Sequence, residues 1–451
     1  MNTAAADAIA QAAIARVNPS RMISSALSLT GDTLTLRTET TALTEDLTAY
    51  RRIAVLGAGK AAAAMVQGLE TVLGDRINDG LIVTKYGHAL PLRRVQIIEA
   101  GHPVPDENSL RAGREIAAIA EGLGEDTLCI TVVSGGGSAL LTLPAEFGDR
   151  AVTLDDVQAT TRLLLGAGAP IQAVNCVRRH LSGIAGGRFA QLAAPARTVA
   201  LVLSDVVGDQ LESIASGLVA PDPTTYGDAL ETCREWGILK DLPTAARELL
   251  ETGARGEIPD TPKPDDPVFT MLTPVLIGTN SAALVAAREQ AEHLGYNTLV
   301  LTSRLTGEAR EIAKVFSGIA ADIAQGRGLV ERPACILAGG ETTVTLRGDG
   351  LGGRNQEMAL SVLREISHRP GAYQGVTFLS MGTDGTDGPT DAAGAYAAPD
   401  LLVRDSAAGA GAISDALARN DAYHLFQRLD GLYKTGPTNT NVCDIQVLLV
   451  E

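Results

Sequence analysis

Glycine-rich segments that follow short apolar runs carry the residues most suited to chemistry in this chain. The first is Gly57-Ala58-Gly59-Lys60-Ala61-Ala62, and an alanine-rich stretch typical of a helix follows it. A helix N-terminus offers unpaired N–H groups and a partial positive charge, so Gly59 and Lys60 suit a phosphate or carboxylate group. The simpler alternative is a tight strand-to-helix turn with an exposed lysine.

The same segment fits the G-x-G-x-x-A fingerprint of dinucleotide-binding proteins, which keeps an NAD(P)H-dependent reductase open as an alternative. That fingerprint requires an acidic residue near the end of the next strand to bind the ribose. Here that strand ends at Thr84-Lys85, so the acid is missing. Lys85 could instead meet a 2′-phosphate. The segment is not a Walker A loop, because both the glycine spacing and the Ser or Thr after the lysine are missing.

A second segment combines three glycines with two hydroxyl groups after an apolar run: Ser134, Gly135, Gly136, Gly137 and Ser138. Consecutive N–H groups in such a segment form a concave site for an anion, so we expect it to bind phosphate or a substrate carboxylate. A flexible turn is the plain alternative. A serine nucleophile is disfavoured, because the segment lacks a G-x-S-x-G elbow.

Two carboxylates four residues apart, Asp205 and Asp209, follow the apolar run TVALVLS. They suit Mg²⁺, or one of them could orient an attacking hydroxyl group and take its proton. We expect Asp205 to act in catalysis and Asp209 to bind metal. A helix N-cap aspartate with a solvated neighbour is an equally simple interpretation.

A cluster of polar side chains follows two glycines in the segment GGRNQE and comes before a helical stretch. Arg354 could bind a phosphate through two hydrogen bonds or stabilise the charge of a transferring phosphoryl group. Asn355 and Gln356 could recognise a carboxylate or an amide edge. A capped surface helix is the alternative.

The segment GTDGTDGPTD holds three acids between glycines and threonines. Oxygen ligands on closely approaching backbone suit a hard cation, so Asp384 and Asp387 are predicted ligands for Mg²⁺ or another divalent cation. The segment is not an EF-hand, because Ala395 stands where that loop needs its final glutamate. An acidic turn without a metal is the alternative.

A basic patch, Arg178-Arg179-His180, precedes a Gly-Gly turn in an otherwise acidic protein. Such a patch suits an anionic substrate, so we predict that Arg178 and His180 bind substrate or phosphate. Surface salt bridges are an equal alternative. His102, in the rigid segment GHPVPD, could touch the substrate, although a lone histidine is more often structural.

Near-continuous apolar runs alternate with helical stretches along the chain, which predicts parallel sheets covered by helices on both faces. Ligands of such sheets bind beyond the carboxyl ends of the strands, and every segment described above lies at such an end. The proline-rich stretch 253–274 predicts a connection between two α/β domains. We place a larger N-terminal domain at 1–262, the linker at 263–274 and a smaller C-terminal domain at 275–451.

Composition narrows the class of protein further. The net charge of -16 argues against nucleic acid and anionic membranes as partners. The five cysteines form no CxxC pair, and the N-terminus lacks the cationic start and the apolar run of a signal peptide. These features predict a cytoplasmic protein without a membrane span.

Taken in order, these segments resemble the class II glycerate kinases, the glycerate 2-kinase family with a leucine-rich C-terminal domain. In this family's pattern the glycine–lysine loop corresponds to Lys60, the arginine before Asn-Gln-Glu to Arg354, and the Thr-Asp-Gly steps to Asp384 and Asp387. One departure is Ala185, where the family often has a lysine. The resemblance covers nearly the whole chain and rests on these segments: LGAGKAA, GHPVPD, SGGGSAL, NCVRRHLSGIAGGRFA, LVLSDVVGD, ASGLVAPDPTTY, LAGGETTV, GGRNQEMAL and GTDGTDGPTDAAGA.

The resemblance implies a Rossmann-like N-terminal domain and a smaller α/β C-terminal domain, with the active site in the cleft between them. It implies transfer of the γ-phosphoryl group of ATP, held with Mg²⁺, to the 2-hydroxyl of D-glycerate, giving 2-phosphoglycerate and ADP. Lys60 and Arg354 would contact the substrate carboxylate or the transferring phosphoryl group. A hydroxypyruvate reductase, a name that family members have also carried, and a non-catalytic sugar-acid-binding protein are the alternatives. A homodimer is left open.

Overall fold

The chain folds into two compact units, and the computed structural model describes residues 1–148, 150–328, 330–404 and 409–451. The N-terminal unit comprises Pro19–Ser204 and Asp209–Ile277. The C-terminal unit comprises Met1–Asn18, Asp205–Gly208 and Gly278–Glu451.

Fifteen α-helices form within the described residues, and none of them is long and apolar enough to cross a membrane. They are α1 (Thr3–Arg16), α2 (Pro19–Ala26), α3 (Ala62–Leu73), α4 (Glu107–Glu121), α5 (Gly137–Leu140), α6 (Leu154–Gly166), α7 (Ile171–His180), α8 (Arg188–Ala193), α9 (Tyr226–Glu235), α10 (Thr244–Ala254), α11 (Asn280–His293), α12 (Ala309–Ala324), α13 (Arg354–His368), α14 (Ala410–Ala418) and α15 (Ala422–Leu429).

The strands of the described residues form two six-stranded sheets and two smaller ones. They are β1 (Leu27–Thr30), β2 (Thr33–Arg37), β3 (Ala42–Asp46), β4 (Arg52–Ala58), β5 (Asp79–Lys85), β6 (Gln96–Ala100), β7 (Thr127–Val133), β8 (Glu146–Phe147), β9 (Arg150–Ala151), β10 (Arg197–Leu203), β11 (Leu272–Gly278), β12 (Asn297–Leu305), β13 (Ala334–Gly340), β14 (Val376–Gly382), β15 (Gly394–Ala397), β16 (Leu432–Tyr433) and β17 (Asp444–Val450).

The main sheet of the N-terminal unit has the strand order β6-β5-β4-β7-β10-β11. Strands β6, β5, β4, β7 and β10 pair in parallel, and nearly all residues of β4, β7 and β10 are buried, as continuous apolar runs predict. From β4 the chain adds β5 and β6 on one side and then returns to place β7 on the other. This is the Rossmann strand order, and its switch point lies between β4 and β7, where such sheets bind ligands.

Helices α6, α7, α9 and α10 pack beside this sheet around an apolar core of their own. Its fully buried members include Leu164, Val174, Tyr226 and Leu249. The cluster places α6 and α7 next to the segment that follows β7, since the carbonyl of Leu181 accepts the N–H of Ala145 (2.9 Å).

The sheet of the C-terminal unit is mixed and has the order β12-β13-β17-β14-β15-β16. Strand β12 is parallel to β13, but β17 lies between β13 and β14 and is antiparallel to both. The expectation of parallel sheets throughout is therefore wrong here, because an apolar run alone does not give strand direction. Since β13 and β14 both oppose β17, their carboxyl ends still meet at one edge of the sheet.

The bounds of the two units differ from the predicted domain bounds at both ends of the predicted N-terminal domain, 1–262. Helix α1 belongs to the C-terminal unit, where it packs against α11, and the Oγ1 of Thr440 donates to the carbonyl of Val17 (2.6 Å). The predicted linker at 263–274 contains the start of β11, which flanks β10 in the first sheet. The short segment Asp205–Gly208 also joins the C-terminal unit.

Replacing Ile9 with alanine tests the role of α1 in the C-terminal unit. Ile9 is fully buried, so Ile9→Ala should lower the free energy of unfolding by about 2–4 kcal/mol in chemical denaturation. Ala15→Ser, an exposed position on the same helix, serves as the control and should change it by less than about 0.5 kcal/mol. Equal, small effects of both substitutions would contradict the packing of α1 described here.

Candidate active site

The two glycine-rich segments of the N-terminal unit meet at the switch point between β4 and β7. The backbone N–H of Lys60 donates to the carbonyl of Gly135 (2.9 Å), and that of Ala61 donates to the Oγ of Ser134 (3.1 Å). Gly59 has a φ of 139°, and a Cβ there would lie 2.1 Å from the Oγ of Ser134. Only glycine lets the two loops pack this closely, and the packing fixes Lys60 just before α3.

Lys60 lies near a second lysine, Lys85, and near the imidazoles of His88 and His102. A Cβ added at Gly136 would lie 2.9 Å from Cδ2 of His102 and 3.3 Å from Cε of Lys60, so both side chains lie against this glycine. Nδ1 of His88 is 3.3 Å from the carbonyl oxygen of Lys60. Burial, with the charges of Lys60 and Lys85, lowers the pKa of His102 to about 4. His102 is therefore neutral near pH 7, and the lysines carry the positive charge of this region.

Ser138 faces another serine. Its Oγ lies 2.8 Å from the Oγ of Ser216, which donates to Oδ1 of Asn175 (3.1 Å). Ser216 and Ala215 have φ values of 53° and 48°, a left-handed conformation that costs free energy in residues other than glycine. The hydrogen bond to Ser216 is not the serine–base contact that a nucleophile requires, so Ser138 is better suited to hydrogen-bond a ligand.

Arg178 is partly buried and its Nε donates to Oγ1 of Thr161 (3.3 Å). Burial lowers the pKa of Arg178, and no ion pair to it forms within the described part of the chain. A guanidinium group in this setting is stabilised when an anion approaches, so the predicted binding role of Arg178 fits its surroundings.

His180 does not fit its predicted role in binding. Its side chain is fully buried, with Nε2 3.1 Å from Oδ1 of Asp260 and Nδ1 2.8 Å from the carbonyl oxygen of Cys176. Burial alone would lower the pKa of His180, but these contacts and the charge of Asp222 raise it to about 9. The neighbouring Arg179 also pairs with Asp222 (3.0 Å). The basic patch thus splits: Arg178 is available to a ligand, while Arg179 and His180 form buried ion pairs.

Arg354 opens α13 in the C-terminal unit and is held by a buried carboxylate. Asp444 begins β17 and pairs in register with Gly340 at the end of β13 and with Gly382 at the end of β14. Nε and Nη2 of Arg354 donate to its two oxygens (2.6 and 2.9 Å), and Nη1 lies 3.0 Å from Oε1 of Glu341. Burial alone would lower the pKa of Arg354, but Asp444 and Glu341 outweigh it and raise the pKa. About a third of the side chain stays exposed (33%), so the fixed guanidinium can also contact a ligand.

Asp387 caps α13 and does not present a free carboxylate. Its two oxygens accept the backbone N–H groups of Asn355 (3.1 Å) and Gln356 (2.8 Å), and both amide side chains donate to the same carboxylate (3.3 and 3.0 Å). Burial raises the pKa of Asp387 to about 6, against these backbone hydrogen bonds. The roles predicted for Asp387 as a metal ligand and for the two buried amides as ligand contacts do not fit this geometry. The three residues instead fix the start of α13 and so position Arg354.

Further acids lie near Arg354 in the same unit. Desolvation raises the pKa of Glu341, and the charges of Asp444, Asp205 and Asp384 add to the rise while Arg354 opposes it. The backbone of Asp205 also accepts a hydrogen bond from the thiol of Cys443 (3.2 Å), which ties its segment to the start of β17. Asp205 and Asp384 therefore both lie near Glu341, which contacts Arg354.

For a divalent cation the described residues offer single carboxylates and no group of three ligands. Oδ1 of Asp384 accepts hydrogen bonds from the N–H and Oγ1 of Thr386 (3.0 and 3.1 Å), and Oδ2 accepts none from the described residues. Asp209 belongs to the N-terminal unit, so within the C-terminal unit Asp384 is the predicted metal ligand that keeps such an oxygen. Because Mg²⁺ usually combines one or two carboxylates with waters and substrate phosphates, Asp384 and Glu341 fit an ion that arrives with a nucleotide.

Sequence reasoning gave no role to Asp444 or Glu341. Asp444 carries a weak signal, since it opens the run DIQVLLV, whose seven residues are all buried. An acid at the start of a buried strand needs a partner, and Arg354 is that partner. Glu341 directly follows β13, a position that resembles those of the other candidate residues.

A Rossmann-ordered sheet with a lysine-bearing glycine loop at its switch point, and a second unit that presents a fixed arginine, define an α/β protein suited to small anionic ligands. Residues 5–251 match the model of a domain of unknown function, DUF4147, and residues 334–444 match that of the MOFRL family. The chain belongs to the glycerate 2-kinase family.

Individual relatives support the assignment of this chain to the family. A D-glycerate 2-kinase of Thermotoga maritima is 39% identical over 400 residues, which cover 88% of this chain and 91% of that protein. A protein of Agrobacterium vitis with a provisional hydroxypyruvate reductase name is 45% identical over 402 residues, covering 88% and 99%. The crystal structure of a glycerate kinase from Thermotoga maritima matches with a TM-score of 0.84 and 35% identity, covering 99% of each chain.

Replacing His180 with glutamine should flatten the pH dependence of stability. The folded protein holds the imidazolium with a pKa of about 9, above the ordinary value of 6.5. The stabilisation is therefore complete below pH 6.5 and is lost as the pH rises through 9. Between pH 6 and pH 9.5, the wild type should lose about 3 kcal/mol more unfolding free energy than His180→Gln in chemical denaturation. Equal losses would show that His180 is not protonated in the folded protein.

Proposed function

We propose that this protein is an ATP-dependent D-glycerate 2-kinase. It transfers the γ-phosphoryl group of ATP to the 2-hydroxyl of D-glycerate, with 2-phosphoglycerate and ADP as products. The observation that carries the proposal is the packing of the 134–138 loop against the glycine-rich loop that precedes α3. This packing fixes the backbone of Lys60. The substrate is supported by the relative from Thermotoga maritima that bears the name D-glycerate 2-kinase.

The N-terminal loops supply positive charge and N–H donors to the phosphates. Phosphoryl transfer is catalysed mainly by positioning and by neutralising charge, so a lysine fixed by its own backbone hydrogen bond suits this task. His102 is neutral and lies against Gly136, so it can donate a hydrogen bond without adding charge. Ser134 holds the loop, and Ser138 can bind an oxygen of the ligand.

The C-terminal unit supplies the arginine and the acids. The 2-hydroxyl oxygen bonds to the γ-phosphorus as the bond to the β–γ bridging oxygen breaks, and ADP leaves with that electron pair. Asp205 takes the hydroxyl proton, and Arg354, held by Asp444, stabilises the charge of the phosphoryl group. Mg²⁺, when bound with ATP, would neutralise the phosphates, and Asp384 and Glu341 would hold it.

Lys60 and Arg354 belong to different units, so their action in one reaction stays a prediction. Each residue is fixed within its own unit, Lys60 by Gly135 and Arg354 by Asp444. Support for the prediction comes from glycerate kinases that match this chain over most of its length and therefore contain both units.

The reductase alternative is less well supported by the geometry. A dinucleotide-binding sheet places an acid at the end of the second strand to bind the ribose, and here β5 ends at Lys85 and Tyr86 follows. A non-catalytic sugar-acid-binding protein would not need a nucleotide site. A rise in melting temperature on adding ADP and Mg²⁺ separates it from the kinase.

We also propose a cytoplasmic location. All five cysteines are free and buried, which suits a reducing compartment. Fractionation of the native host with an antibody to this protein tests the proposal, and recovery outside the cytoplasm would contradict it.

Incubation with ATP, Mg²⁺ and D-glycerate should yield 2-phosphoglycerate, identified by phosphorus NMR against authentic standards. The proposed reaction depends on D-glycerate, ATP and Mg²⁺ together, so omission of any one should abolish the product signal. Formation of 3-phosphoglycerate alone would contradict the position of transfer, and reduction of hydroxypyruvate with NAD(P)H without any phosphorylated product would favour the reductase.

The substitution Lys60→Ala should lower kcat/KM by about 10²–10³, because it removes a charge that stabilises the transferring phosphoryl group. Circular dichroism and melting temperature should stay close to the wild type. Lys240→Ala, an exposed lysine of the same unit, serves as the matched control. Near-normal kcat/KM in folded Lys60→Ala would show that Lys60 is only a turn residue.

Substitutions at Arg354 test the contribution of the C-terminal unit. Both Arg354→Lys, which cannot form the two-pronged contact, and Asp444→Asn, which removes the charge that fixes the arginine, should lower kcat by about 100-fold. Arg327→Ala, an exposed arginine of the same unit, is the control. If Lys60 and Arg354 serve one reaction, the double alanine variant should lose less than the product of the two single losses. Independent, multiplicative losses would contradict joint action.

A further inference from the structure

An apolar cavity adjoins the loop that follows β7, and most of its lining residues have no role in the proposed chemistry. It has a volume of about 210 Å³ and lies between α5, α6, α7, the segment 103–105 and the segment 215–218. All of these elements belong to the N-terminal unit.

The walls of this cavity are mostly aliphatic, and its charge is positive. Leucine side chains from α6 and from the segments around it, among them Leu141 and Leu181, line the interior. Of the described residues that line it, Arg162 and Arg178 are charged, and none carries a carboxylate. In a protein of net charge -16, this combination selects a ligand with an apolar body and an anionic end.

Two further observations mark the cavity as a binding site. Val104 and Leu165 line it and are each 57% exposed, so they leave apolar surface for a ligand to cover. Ala215 and Ser216 also line it and adopt left-handed backbone conformations, and strain of this kind clusters at ligand sites.

The cavity is continuous with the proposed phosphate loop. Gly137 and Ser138 belong to the glycine-rich segment 134–138 and also line the cavity. The preceding glycine, Gly136, lies against the side chains of Lys60 and His102. A ligand with its apolar body in the cavity can therefore extend its anionic end along this loop toward Lys60.

We propose that this cavity binds the purine base and ribose of the nucleotide, with the phosphates running along the 134–138 loop toward Lys60. The inference rests on the proposed function and adds the place of the nucleoside. D-glycerate does not suit the cavity, because each of its three carbons carries a polar oxygen group and nothing in it would cover the leucines. A purine offers a flat apolar face, and the guanidinium of Arg178 can stack on it or contact the sugar-phosphate side.

Substitutions at the cavity mouth test this assignment without disturbing the core. The double variant Val104→Asn/Leu165→Asn removes apolar surface at two exposed positions and introduces no charge. The matched control is Ile171→Asn, whose side chain is 52% exposed at the start of α7 and is not part of the lining. Isothermal titration calorimetry with Mg²⁺ measures the Kd of ADP and, as a probe without a base, the Kd of tripolyphosphate.

The double variant should bind ADP about tenfold more weakly and tripolyphosphate as the wild type does, because only the nucleoside covers the mutated surface. Its KM for D-glycerate should stay unchanged, and Ile171→Asn should match the wild type throughout. Unchanged ADP binding in the double variant, an equal loss for tripolyphosphate, or a raised KM for D-glycerate would each overturn the inference.

The same measurements separate this inference from the proposed function. Because ADP binding is measured without D-glycerate, cavity-dependent ADP binding by a protein that phosphorylates no hydroxy acid would contradict the kinase proposal and leave the nucleotide site in place. If the protein phosphorylates D-glycerate but the cavity variants bind ADP as the wild type does, the kinase proposal stands and the nucleoside site in the cavity is contradicted. A wild type that binds no ADP would overturn both.

Discussion

The contact between the loops that follow β4 and β7 is the constraint on which the candidate site depends. A parallel sheet with Rossmann strand order brings these two strand ends together at its switch point, and there the backbone of Lys60 bonds to Gly135. The fit tolerates no side chain at Gly59. Because the lysine backbone is fixed before any ligand arrives, little ordering of the main chain remains to oppose binding.

The C-terminal unit also positions a cation, Arg354, but it does so with side-chain contacts rather than with a backbone contact between two loops. Its arginine is positioned by side chains, namely the carboxylate of Asp444 at the start of a buried strand and the cap that Asp387 forms on α13. A buried carboxylate is costly unless it is paired, so Asp444 and Arg354 stabilise each other only while both are present. The position of Arg354 thus rests on an ion pair that the strand order creates, since β17 must run between β13 and β14 to bring Asp444 to their carboxyl ends.

The sequence predicted the first sheet and the glycine-rich loops at its strand ends, whereas the roles of Lys60 and Arg354 stay predictions. These features follow from local patterns, because an apolar run, a glycine pair and a helical stretch are contiguous in the chain. It could not predict the mixed second sheet or the membership of α1, since strand direction and the partner of a helix depend on distant segments. The same reason explains Asp444, which lies 90 residues from the arginine it holds. His180 and Asp387 show the opposite error: charged residues in suggestive motifs can be buried in structural pairs, and burial cannot be read from residue type alone.

We propose that the loops at the β4–β7 switch point hold the phosphates of the nucleotide. A crystal structure of the protein with ADP and Mg²⁺ tests it most directly, through the distances from the phosphate oxygens to the surrounding donors. We expect oxygens of the β-phosphate to lie within about 3.2 Å of N–H groups in the segments 59–61 and 134–138, or of Nζ of Lys60. Phosphates bound by other residues, with both loops free of contact to the nucleotide, would contradict it.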